Sequence, residues 1–157
     1  EFTHQNRPSK KLTHYKASFM SENQQDDLRE QAINIVEAFL EASMKPDPEL
    51  AATFMASDVR ITFTGGRVMK NAQAITAFNA SRYSWVKKSL GHFDACENAD
   101  YVSVYSNGTL YGEWLDGRPF SNNRYIDTFD VKDGKIVRMD VWNDSAEWIL
   151  APEINQP

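Results

Sequence analysis

The chain has 157 residues, 41% hydrophobic and 25% charged, which is the composition of one folded domain and not of a disordered tail. At this length a domain buries about 68–70% of the surface its unfolded chain exposes, so the core needs no staple. A net charge of −5 argues against a nucleic-acid surface, the single Cys96 excludes an intrachain disulfide framework or cysteine-rich zinc site, and no apolar run is long enough to span a membrane.

Residues 1–19 set Arg7, Lys10, Lys11 and Lys16 against Glu1, so the acidity lies in the rest of the chain. Glu1-Phe2 looks like a cloning scar and Met20-Ser21 like a natural start. With no apolar signal core in the first twenty residues, 1–19 read as a flexible or vector-derived arm and 20–157 as one domain, expected in the cytoplasm.

From Gln24 to Met44, Leu28, Ala32, Ile35, Val36, Phe39 and Leu40 recur at three- and four-residue spacing, which predicts an amphipathic helix. Asp47-Pro48-Glu49 then offers a cap, a first-position proline and an early acid for a short helix ending near Ser57. Val59 to Thr64 is β-branched and predicts a strand, with Gly65-Gly66 as a turn. Asn71 caps a third expected helix over 72–88, with Ile75, Phe78 and Trp85 on one face. Beyond Gly91, strands are expected at 92–97, 101–105, 109–115, 123–131 and 135–143, separated where they meet by Asn107-Gly108, Asp116-Gly117 and Asp133-Gly134. A last helical turn falls over 145–150. Helices first and an antiparallel meander afterwards predict an α+β fold, its sheet curved around the helices to leave a concavity.

Alternation in the last two strands carries the first chemical signal. Val137, Met139 and Val141 share the expected inner face of one, and Tyr125, Asp127 and Phe129 that of the other. This carries a carboxyl among aromatic rings, where lost hydration raises its pKa and suits it to exchange a proton or donate to a carbonyl oxygen. The plainer alternative is a buried acid satisfied by a backbone or side-chain donor.

The element order, Asn123-Arg124-Tyr125-Ile126-Asp127-Thr128-Phe129, the turn Asp133-Gly134-Lys135-Ile136 and the ending Val141-Trp142-Asn143-Asp144 resemble the nuclear-transport-factor-2-like superfamily, in its SnoaL-like polyketide cyclase and ketosteroid isomerase branch. The resemblance covers about 24–150. It implies a cone-shaped roll, a curved mixed but mostly antiparallel sheet wrapped around three N-terminal helices, with a pocket at one end and commonly a homodimer. Asp127 then matches the protonated aspartic acid of ketosteroid isomerase. Phe63 stands where that enzyme has its base and Phe39 where it has its tyrosine donor, which argues against the same reaction. Limonene epoxide hydrolase uses an Arg and an Asp two residues apart, whereas Arg124 and Asp127 are three apart; scytalone dehydratase uses paired histidines, whereas the body here has only His92. The polyketide cyclases, which use an aspartate without metal or cofactor, match best.

The remaining candidates are weaker. Glu113 shares a strand face with Tyr111, and His92 opens a strand near the expected pocket mouth. Tyr83 and Trp85 are placed late in the third helix, lining the opening, and Asn143 follows the inner alternation. Trp142 faces outward between charged neighbours, which suggests a homodimer through the outer sheet face. No nucleotide fingerprint, phosphate loop, zinc spacing or nucleophile elbow is present.

The expected function is therefore cofactor-independent acid/base chemistry, an isomerisation, cyclisation or dehydration, on a small apolar carbonyl or hydroxyl compound. Asp127 would act, with His92 and Glu113 as further catalytic candidates. Tyr125, Phe129, Met139, Val141, Asn143, Phe63, Phe39, Tyr83, Trp85 and Tyr111 would form the ligand wall. The alternative is a ligand-binding or dimerising module without catalysis. No metal, cofactor, nucleic-acid or membrane partner is expected.

Overall fold

Helix α1 (Glu22–Met44) buries the stripe Ala32, Val36, Phe39, Leu40 and Ala42 that its spacing dictates. It opens the computed structural model, which describes residues 22–151; the arm expected over 1–19 lies outside the described residues. Helix α2 (Pro48–Thr53) begins where Asp47 Oδ1 accepts the Leu50 N–H at 2.9 Å. Strands β1 (Met55–Phe63) and β2 (Arg67–Met69) flank the glycine turn, and α3 (Ala72–Ala80) starts at Asn71, whose Oδ1 accepts the Ala74 N–H. The strands β3 (Tyr83–Glu97), β4 (Val102–Trp114), β5 (Pro119–Lys132) and β6 (Lys135–Asn143) follow, then the short α4 (Ser145–Leu150).

The six strands form one sheet in the order β2-β1-β6-β5-β4-β3, with β1 parallel to β6 and every other pair antiparallel. Register shifts interrupt the long strands at Leu90/Phe93, Leu110/Gly112 and Asp130/Val131. Such bulges raise local twist and bend a sheet, so this one curves. Helix α1 lies across β3, β4 and β6, and α3 across β2 and β3. The α+β roll expected from the sequence is the observed architecture. Its main core joins α1 to the inner residues of β1, β4, β5 and β6, and a second apolar cluster gathers Tyr83, Leu110, Trp114, Phe120 and Tyr125.

Four local expectations are corrected. Helix α3 stops at Ala80, and the segment from Tyr83 onward is strand. Ser81 ends the helix, its hydroxyl donating to the Phe78 carbonyl at 2.7 Å. Residues from Tyr83 to Leu90 then pair with Trp114 to Gly108, a long-range ladder that outweighs the local helical spacing. Helix α2 is shorter than expected because Met55 already pairs with Ile136. Asn107-Gly108 is no turn: β4 runs straight through it, and Gly108 is there because a Cβ would collide with the Ser89 carbonyl oxygen. In β6 the bulge beside Val131 gives the inner position to Ile136, and Val137 is only half-buried.

Candidate functional site

Strand β5 alternates without fault through its centre: Asn123, Tyr125, Asp127, Phe129 and Val131 are buried, while Arg124 and Ile126 are exposed. Asp127 lies between Ser106 of β4 and Val141 of β6 in the ladder, and its side chain has no exposed surface. The carboxylate oxygen Oδ2 accepts from Lys88 Nζ at 2.7 Å. Its other oxygen, Oδ1, is buried and takes no hydrogen bond among the described residues.

Lys88 reaches this position because Val86, Lys88 and Leu90 alternate inward along β3, while Trp85, Lys87 and Ser89 are exposed. The Lys88 N–H donates to Met44 Sδ at 3.2 Å, which ties the strand to the end of α1. Its ammonium lies 3.4 Å from the centre of the Tyr125 ring, a cation–π contact added to the ion pair. The Tyr125 hydroxyl is in turn 3.1 Å from Ser106 Oγ. Burial pushes the Asp127 carboxyl up from its ordinary range and the Lys88 ammonium down, and the attraction between the two opposes both shifts. The two shifts bring the proton affinities of the carboxyl and the amine closer together than they are in water.

A cavity of about 80 Å³ lies over the pair, walled by Phe39, Phe63, Phe78, Met139, Val141 and the two charged residues among others. A second, of about 220 Å³, adjoins it through the shared residues Met44, Ile75, Asn79, Tyr83 and Val86. The Lys88 side chain keeps 17% of its surface exposed and that of Asp127 none, so Lys88 is the more accessible residue of the pair. Among the described residues no three His, Cys, Asp or Glu side chains gather as a metal site.

The sequence-derived candidates divide sharply. Phe39, Phe63, Tyr83, Met139, Val141 and Asn143 line the first cavity with Asp127. Asn143 also accepts the Ser145 N–H, and the Tyr83 hydroxyl lies 2.8 Å from Ser145 Oγ. Tyr125 and Phe129 sit one layer back, Tyr125 under the Lys88 ammonium and Phe129 edge-on to Phe39. Glu113 and Tyr111 do not belong to the inner wall, whereas Trp85 borders the second cavity. Trp114, stacked on Phe120 at 4.4 Å, takes the inner side of β4, which turns Glu113 and Tyr111 outward beside Trp85. Trp85 and Tyr111 meet edge-on at 6.0 Å on that outer face. His92 is also outside: it follows the bulge after Leu90, is exposed, and pairs with Asp94 at 3.1 Å.

Lys88 is the residue that sequence reading missed. Its signal is the alternation of Val86, Lys88 and Leu90, which the helical spacing of the same segment conceals.

Three solved structures are similar over most of their length. An NTF2-like protein of unknown function from Burkholderia pseudomallei has a TM-score of 0.64 at 19% identity, covering 76% of this chain and 95% of its own. TerC, co-crystallized with polyporic acid, reaches 0.60 at 19% identity, with coverage of 78% and 98%. A candidate polyketide cyclase from Xanthomonas campestris pv. campestris reaches 0.58 at 21% identity, with coverage of 77% and 96%. No curated protein matches in sequence. The model of the SnoaL-like domain matches residues 36–139, and the chain therefore belongs to the SnoaL-like family, with the NTF2-like fold.

Proposed function

We propose that the protein is a cofactor-independent acid/base enzyme acting on a small, largely apolar carbonyl or hydroxyl compound, with Asp127 and Lys88 as the working pair. The observation that carries this reading is a fully buried, ion-paired carboxylate with one unpartnered oxygen beneath an apolar cavity. In the charged arrangement the carboxylate accepts a substrate proton and the ammonium faces the oxygen on which negative charge develops. Returning the proton at another carbon completes an isomerisation, and losing a hydroxyl instead gives a dehydration. The apolar wall keeps water out and holds the reacting group against the pair. TerC, a structural neighbour, is seen with an organic acid, consistent with a pocket of this fold receiving a small molecule.

Exchange of the α-protons of small cyclic ketones in heavy water, followed by NMR, tests the assignment. The wild type should accelerate exchange over buffer, and Asp127→Asn should lower that acceleration by about 10²–10⁴-fold. Unchanged exchange in a folded Asp127→Asn protein, or none in the wild type, removes it. A second reading, a ligand-binding module without catalysis, is favoured by the closure of the ion pair on itself, which leaves Asp127 no exposed surface. That reading expects ligand binding with no exchange. In either case the exposed Trp142 and Ile126, paired across β5 and β6, support a homodimer through the outer sheet face.

A further inference from the structure

We propose that Lys88 is a nucleophile, its amine forming a Schiff base with the carbonyl carbon of an apolar aldehyde or ketone held in the joined cavities. The proposal deepens the acid/base reading and rests on it for the role of Asp127 as proton carrier.

Several features of the site converge on this residue. Lys88 lines the inner cavity, and its side chain keeps some exposed surface where that of Asp127 has none. The amine is held in place by Asp127 at 2.7 Å on one side and by the Tyr125 ring on another. A carboxylate at hydrogen-bond distance is the base that a protonated amine needs before it can attack. Removal from water disfavours the ammonium, so the neutral amine is more accessible here than on the surface. The inner cavity admits a small carbonyl head, and the larger adjoining cavity has room for an apolar tail.

The step balances without a further reactant. Asp127 takes one proton from the Lys88 ammonium, and the freed lone pair forms the C–N bond as the carbonyl π electrons move to oxygen. The proton on Asp127 passes to that oxygen. A second proton from nitrogen then leaves with it as the C–O bond breaks, releasing water. The product is a protonated imine facing a carboxylate, so the charge of the pair is conserved. The iminium draws electrons from the neighbouring carbon, whose proton becomes easier for Asp127 to remove.

Lys70 supplies an internal control, because it is exposed and lines neither cavity. The full chain is incubated with hexanal and sodium cyanoborohydride, and each modified lysine is located by peptide mass spectrometry. Lys88 should be alkylated at least about tenfold faster than Lys70, because only Lys88 meets the bound aldehyde with a base at hydrogen-bond distance. Lys88→Arg, which keeps a cation beside Asp127, should abolish the fast event and leave labelling of Lys70 unchanged. Equal or slower alkylation of Lys88 in the wild type overturns the proposal whether or not the variant folds. If ketone exchange still depends on Asp127 in that case, the acid/base reading stands and the covalent step alone fails. Loss of both removes the two together.

Discussion

At the residue scale the molecule is organised around a charge that burial makes expensive and a partner placed to offset it. Moving a carboxylate and an ammonium out of water costs several kcal/mol each, and only close, well-oriented pairing compensates. Lys88 and Asp127 meet that condition at 2.7 Å, and Tyr125 adds its ring face. Removing one member strands the other. Lys88→Met is expected to lower stability by about 3–5 kcal/mol, while Lys88→Met combined with Asp127→Leu recovers most of the loss. Urea unfolding of the single and double variants measures the coupling, and strictly additive losses would show that the pair does not support the fold. Asp127 was legible beforehand because Tyr125 and Phe129 mark its face of the strand. Lys88 was not, because its inward direction depends on where α3 stops.

At the scale of elements, pairing between distant strands decides what local spacing leaves open. The run from Ile75 to Trp85 is compatible with one helical face, yet the chain turns at Ser81 and joins β4. Close approach of β3 and β4 explains Gly108 in the same way. The Cβ introduced by Gly108→Ala would meet a backbone oxygen that has little room to retreat. That substitution should cost about 1–3 kcal/mol, as overpacking of a tight contact does, read from the midpoint of chemical unfolding. A change of a few tenths would mean that the two strands can separate without penalty. His92 and Glu113 belong to this scale too: a bulge sends the first outward, and the stacking of Trp114 on Phe120 does so to the second.

At the scale of the whole molecule, the curved sheet has an inner face used by the helices and cavities and an outer face that keeps large apolar side chains in water. Trp142 is 51% exposed and Ile126 43%, side by side in the ladder. With Trp85 and Tyr111 also on the outer side, a second copy is the expected cover. Sedimentation at micromolar concentration should find a dimer, and Trp142→Glu should shift it to monomer with the circular dichroism spectrum unchanged. A wild-type monomer under those conditions would refute the dimer.

The α+β order, the capped helices, the curved meander and the inward side of Asp127 are legible in the chain itself. These rest on short-range causes: apolar period, capping residues and strand alternation act within a few residues of each other. Folding in three dimensions sets the end of α3, the outward placement of His92 and Glu113, and the meeting of Lys88 with Asp127. That meeting joins residues 39 positions apart on strands that do not neighbour each other, with β4 between them. No local pattern records such a contact, because it exists only when the sheet curves enough for two inward side chains to reach across the strand that separates them.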